Sequence, residues 1–190
     1  MIRIGILGKI GSGKSYVANN LGYPVFDADH EVAMLYKKNR KIFLKLKKIL
    51  PEYIKSFPIE KKEIIKAILQ KKGNLKKIIK IVHIEIRKKK NSFLKKNKNK
   101  KFVVLDVPLL LENKLNKKSD ILIFVDSKKS DTLKKLTKRK NFNKKLFNKF
   151  QKIQFSSQYK IRKSHFIIKN DFTKKTININ IKDVQKKLNR

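Results

Sequence analysis

An α/β fold built on a parallel five-stranded sheet is predicted by three observations. Short apolar runs of strand length recur at 2–7, 24–26, 102–107, 120–125 and 165–168. Helical patterns, with Ile, Leu and Phe at three- and four-residue intervals, separate them. The first run opens into a glycine-rich turn, since four of the six glycines, Gly5, Gly8, Gly11 and Gly13, fall within nine residues. Strands that alternate with helices pair in parallel, because each crossover helix carries the chain back over the sheet.

Taken in order, the strand at 2–7 is followed by Gly8 to Ser15, which fits the Walker A pattern G-x-x-x-x-G-K-[ST] in the strand-to-helix context that the pattern requires. Glycines at Gly8, Gly11 and Gly13 let backbone N–H groups turn inward around a phosphate, with Ser12 in the same ring. A helix from Gly13 to about Asn20 presents its positive N-terminus beneath that anion. Lys14 reaches the β- and γ-phosphates in such a loop, and the Ser15 hydroxyl ligates Mg²⁺. The next strand ends in Asp27-Ala28-Asp29. Ligand crevices in open parallel sheets lie beyond the carboxyl ends of the strands, so Asp27 and Asp29 are expected at the phosphate site. Asp29 has a second reading as the cap of the helix that follows.

Residues 30–99 show helical stretches only, broken at Pro51, Pro58 and Gly73, and read as a helical insert. Strand character returns at 102–107, ending near Asp106, then at 120–125 and 165–168, with a Lys-rich helix expected between the last two. Asp106 and Asp126 both end strands and both resemble an acid that holds Mg²⁺ through water; Asp106 is favoured because a Pro-Leu-Leu-x-Glu stretch follows it and it is expected to face the crevice, while Asp126 is expected to cap the helix from Lys128. No internal repeat is evident, and the Lys/Asn tract at 95–101 is of low complexity.

A chain of 190 residues suits one domain with an insert. It has no cysteine, which excludes a disulfide scaffold and a thiolate metal site. Its longest apolar runs are strand-sized, so no membrane span is expected, and with no signal-peptide pattern the expected location is the cytoplasm. The 52 Lys and Arg against 14 Asp and Glu give a net charge of +38, which invites a nucleic-acid reading. Only Arg3, Arg40, Arg87, Arg139, Arg162 and Arg190 are arginines, the residue that grips phosphates and bases in a fixed fork. With no recognition module in the pattern, no specific nucleic-acid partner is expected, and Lys88–Lys90 and Lys95–Lys101 read as helix ends and loops.

Four blocks in order make the chain similar to dephospho-CoA kinases: Gly8–Ser15, Val25-Phe26-Asp27-Ala28-Asp29, Asp106-Val107-Pro108-Leu109-Leu110-Leu111-Glu112, and a lid-like region entered at Arg139 and running past Gln154 to Asn170. The resemblance implies a P-loop NTPase three-layer fold with a core at about 1–29, 100–138 and 165–190, a CoA-binding insert at about 30–99, and a lid at about 139–164. It implies transfer of the ATP γ-phosphate to the ribose 3′-hydroxyl of dephospho-CoA, with Mg²⁺.

The same resemblance makes Asp29 the base that takes the hydroxyl proton, supported by Asp27, and makes Arg139 a cation over the transferring group. It sets Gly8, Gly11, Ser12, Gly13, Lys14, Ser15, Tyr16 and Asn170 on the nucleotide and Ser15 and Asp106 on the metal. Asp27, His83, Arg87, Pro108, Leu109 and Glu112 fall on the acceptor. Alternatives stay open for several of these: a solvated helix-end cation for Arg139, a surface pair for His83 and Arg87, and a structural salt bridge for Glu112. The chain departs from the family in having Ile84 where a proline follows the histidine, Lys9 where a second glycine is usual, and Lys138, Lys140, Lys144 and Lys145 where lids carry further arginines. The rival readings are a nucleoside or nucleoside-monophosphate kinase and a nucleic-acid-binding ATPase.

Overall fold

The computed structural model describes residues 1–139 and 142–189. In chain order the elements are β1 (Ile2–Gly8), α1 (Lys14–Asn20), β2 (Val25–Asp27), α2 (Ala28–Lys38), α3 (Arg40–Ile49), α4 (Lys61–Gln70) and α5 (Asn74–Lys96). There follow β3 (Phe102–Asp106), β4 (Ile121–Asp126), α6 (Lys129–Thr137), α7 (Lys144–Lys152), α8 (Ser157–Lys163), β5 (Phe166–Lys169) and α9 (Lys174–Asn189). Two compact units result, one of Met1–Asp27 with the chain from Asn97 onward, the other of Ala28–Lys96.

The first unit holds the sheet, in the order β2-β3-β1-β4-β5 with every pair parallel. Its strands are continuous apolar runs because helices cover both faces. Ile4, Ile6, Val104, Ile123, Val125 and Ile168 point to one face and pack with Val17 and Ala18 of α1, Leu21 at its C-cap, and Ile177, Ile181 and Val184 of α9. The chain moves one way from β1 to β2 and the other way from β2 through β5. The crevice beyond the carboxyl end of β1 is therefore the switch point where such sheets bind ligands.

Gly5 sits in the middle of β1 on the opposite face, where an added Cβ would stand 2.6 Å from Leu110 Cδ2 and 2.9 Å from Leu122 Cδ2. Gly5→Ala overfills that contact and is expected to lower stability by about 1–3 kcal/mol. Urea unfolding reads this as a lower midpoint with an unchanged slope. Across the sheet, Arg3 Nε donates to Asp120 Oδ1 at 2.7 Å, and Asp120 Oδ2 also accepts the Lys117 N–H at 2.9 Å, so a buried forked pair fixes where β4 starts beside β1.

The second unit is helical throughout. Asn39 caps α3 by accepting the Ile42 N–H at 3.0 Å, and Glu60 with Glu63 closes a capping box on α4. Glu63 also takes the Lys55 N–H at 2.8 Å, tying the 50–60 connection to α4. Leu35, Ile42, Phe43, Leu46, Ile54, Ile64, Ala67, Ile68, Ile78 and Val82 form its core.

Several expectations need correction. The single helix expected between β4 and β5 is three, because Asn143 and Ser156 each accept an N–H three residues on and start new helices, α7 and α8. Asp126 does not cap α6: the N-cap is Lys128, and Asp126 ends β4 with its carbonyl accepting the Asn170 N–H at 2.7 Å. Asp29 does not cap α2 either, since the helix starts one residue earlier, at Ala28. Lys88–Lys90 lie within the 23-residue α5 rather than at its end. The helical unit spans Ala28–Lys96, beside the insert expected at about 30–99.

Candidate active site

The phosphate loop joins β1 to α1 as the motif predicts. Gly13 is the N-cap of α1 with φ 93, and its carbonyl accepts the Val17 N–H at 3.1 Å. This left-handed conformation suits glycine. A Cβ there would also collide with Asn170 Nδ2. Gly8 admits none because Ser12 Oγ and the Val125 carbonyl lie 2.5 and 2.8 Å from where it would be. Ser12 Oγ itself is buried and has no hydrogen-bond partner among the described residues. Lys14 Nζ folds back over the loop, donating to the Lys9 carbonyl at 2.8 Å and the Gly8 carbonyl at 3.4 Å, so its ammonium already stands at the rim of the cradle.

Register brings the acids in beside it. Asp27 of β2 pairs with Asp106 of β3 at the carboxyl edge of the sheet, next to the end of β1. Asp106 is buried and hydrogen-bonded to the Ser15 side chain. Burial pushes its carboxyl up, the Ser15 hydrogen bond and the Lys14 ammonium pull partly back, and Asp27 adds repulsion. A hydroxyl and a carboxylate facing each other, with a second carboxylate near, make an oxygen set of the kind a hard divalent cation takes. No group of three or more His, Cys, Asp or Glu able to hold a metal occurs among the described residues. Such a set suits Mg²⁺, which keeps several waters and shares phosphate oxygens rather than entering an all-protein cage.

Asn170 closes the site from the end of β5. Its amide donates to the Ser12 carbonyl at 2.8 Å and accepts the Phe172 N–H at 2.8 Å. Tyr16 is partly exposed and donates to Asn178 Oδ1 of α9 at 3.1 Å, a partner that sequence reasoning missed. Beside the loop, a cavity of about 490 Å³ opens between Lys9 and Ile10, α6 and α7, walled by Leu133, Leu136, Phe142, Phe147 and Phe155; Lys14, Ser15 and Asp106 do not line it.

The Asp106–Glu112 stretch divides. Val107, Leu110 and Leu111 are buried, Pro108 is exposed, and Leu109 adopts φ 56 in the turn. Glu112 makes the salt bridge left open by the sequence, accepting from Lys160 Nζ at 2.8 Å and from the Phe155 N–H at 2.9 Å. Burial alone would raise its carboxyl, but the Lys160 hydrogen bond and the backbone N–H groups outweigh that and hold it below the usual carboxylate range. Lys160 was not foreseen, since nothing in the chain's pattern separates one buried lysine from its many exposed neighbours.

Arg139 is exposed one residue past the C-cap of α6, its N–H on the Leu136 carbonyl. Lys138, Lys144 and Lys145 are likewise exposed, and Lys140 lies outside the described residues. Asp29, His83 and Arg87 belong to the helical unit. Asp29 is exposed in the first turn of α2, and His83 and Arg87 are exposed on α5, four residues apart on one face. Partial desolvation of the ring, then the nearby Arg87 charge, lowers the His83 imidazole. No helix among the described residues is long and apolar enough to cross a membrane.

A Walker A loop entering a helix from the central strand of a parallel sheet, with Lys14, Ser15 and an acid from the neighbouring strand converging on it, defines a P-loop nucleoside-triphosphate-binding protein. The dephospho-CoA kinase family model (CoaE) matches residues 2–176. A dephospho-CoA kinase of Wolbachia pipientis wMel is 34% identical over 191 residues, which cover 98% of this chain and 97% of that one. Among solved structures, TT1252 from Thermus thermophilus superposes with a TM-score of 0.79 at 25% identity, covering 98% of this chain and 97% of that one. A dephospho-CoA kinase from Campylobacter jejuni shares the fold with a TM-score of 0.66 at 21% identity, covering 98% and 96%. The chain belongs to the dephospho-CoA kinase family.

Proposed function

We propose that this chain transfers the γ-phosphoryl group of ATP to the ribose 3′-hydroxyl of dephospho-CoA, giving coenzyme A and ADP, as a cytoplasmic enzyme. The observation that carries the reading is the convergence of Lys14, the Ser15 hydroxyl and buried Asp106 on a glycine-rich loop. Catalysis rests on position and charge. The N–H groups of Gly11, Ser12 and Gly13 surround the β-phosphate, and Lys14 exchanges the Lys9 carbonyl for phosphate oxygens. Mg²⁺, when bound, neutralises charge on the β- and γ-phosphates. Ser15 and Asp106 would hold it. Asp29 takes the hydroxyl proton with Asp27 as its neighbour, and Arg139, drawn in with the lid at 139–164, stands over the transferring group. The acceptor is held by the helical unit through His83 and Arg87, and by Pro108 and Leu109.

With Mg²⁺ and ATP present, ADP formation is expected to depend on dephospho-CoA, with coenzyme A as the product resolved by chromatography. Turnover with adenosine or AMP in its place would make the chain a nucleoside or nucleotide kinase. Turnover stimulated by duplex DNA alone, falling steeply with salt, would overturn the kinase reading.

A further inference from the structure

We infer that Asn170 is a positioning residue of the phosphate loop, setting the direction in which the Gly13 N–H points. The inference rests on the loop being an ATP site. Asn170 stands 158 residues from Ser12 in the chain, yet its side chain is buried to within 5% and spends both polar atoms on backbone: Nδ2 on the Ser12 carbonyl and Oδ1 on the Phe172 N–H.

The Ser12 carbonyl and the Gly13 N–H belong to one peptide plane. In a trans peptide they point in opposite directions, so fixing the carbonyl outward on Asn170 turns the N–H the other way, into the loop. Without that bond the plane is easy to rotate, because Gly13 at φ 93 is the residue type least resistant to a change of backbone angle. The close fit of Asn170 Nδ2 against the bare Cα of Gly13 makes the two positions one contact. The other end of the brace is equally specific: Oδ1 holds the N–H of Phe172, which adopts φ 66, an uncommon value for a non-glycine residue. One amide thus holds two backbone turns in place, one in the phosphate loop and one between β5 and α9.

Asn170→Asp separates the two ends. The aspartate keeps an oxygen for the Phe172 N–H but meets the Ser12 carbonyl with a second acceptor, so the turn survives while the loop is released. ATP affinity, measured by calorimetry with Mg²⁺ at pH 8, is expected to fall tenfold or more, roughly what loss of one hydrogen bond plus a repulsive charge gives. The KM for dephospho-CoA is expected to change little, while the unfolding midpoint falls because a carboxylate is buried against a carbonyl oxygen. Equal ATP affinity of the variant and wild type at pH 8 would overturn the inference. Absence of ATP binding by the wild type would instead remove the functional reading beneath it.

Discussion

Asp29→Asn is expected to lower kcat for phosphoryl transfer between about 10²- and 10⁴-fold, the usual contribution of a general base, while ATP affinity stays within a factor of about two. The substitution keeps the size and polarity of the side chain and removes only its ability to take a proton. In barrier terms that loss is about 3–5 kcal/mol. The competing role for Asp29 is electrostatic: it lies in the first turn of α2, where a carboxylate favours the positive end of the helix. That role is worth about 0.3–1 kcal/mol of stability and nothing in turnover. Steady-state kcat with saturating dephospho-CoA, set beside ATP affinity and the unfolding midpoint of the same protein, separates the two. An unchanged kcat with a slightly lowered midpoint would assign Asp29 to the helix and take it out of the reaction.

The largest expected effect on stability is at Lys160. Its side chain and that of Glu112 are 4% and 8% exposed, and they meet at 2.8 Å. Removing one member of a buried pair strands the other charge, so Lys160→Met is expected to cost about 3–5 kcal/mol in urea unfolding near neutral pH. Adding Glu112→Gln should return much of it, because the pair repays a desolvation that the double variant never incurs. The pH dependence has a definite sign. In the parent chain the folded Glu112 carboxyl sits below its ordinary range, so its contribution is present above the unfolded carboxylate pKa and is lost as pH falls through the folded value. Without Lys160 the buried carboxyl prefers its proton. The gap between parent and Lys160→Met therefore narrows toward about pH 5. A gap that stays constant with pH would mean that the lysine contributes packing of its stem rather than its charge.

Much of the site was legible because its chemistry is written in contiguous residues. Gly8 to Ser15 specify a loop by type and spacing, and Asp27 and Asp106 could be placed at the crevice because each closes an apolar run of strand length. What escaped reading depends on partners far away in sequence. Lys160 is one lysine in a Lys-rich stretch, and only the fold shows it buried against Glu112. Tyr16 meets Asn178 from the other end of the chain. The region 129–163 was misread as one helix because its Lys-rich composition masked local signals that were present, the caps Asn143 and Ser156. Asp126 illustrates the opposite error. An acid two residues ahead of Lys128 suggested a cap, but the strand extends through Asp126, and the helix starts from Lys128 with no side-chain cap.

The strand order also governs how the chain reaches its folded state. β1, which carries the phosphate loop, is flanked by β3 and β4, with Ile2 opposite Phe102 and Ile4 opposite Ile121. Each of those pairings closes a chain segment of about a hundred residues or more, and contacts so distant in sequence slow folding because loop entropy is lost before they form. On a ribosome making the chain from its N-terminus, β1 has neither neighbour until the strands beyond residue 100 emerge. The unit at 28–96, by contrast, is one uninterrupted stretch of chain with its core contained in itself. β1 is thus made early and completed late. The helical unit has its own contacts available once residue 96 is made, whereas β1, with the nucleotide loop attached to it, gains its neighbours only once the strands beyond residue 100 exist.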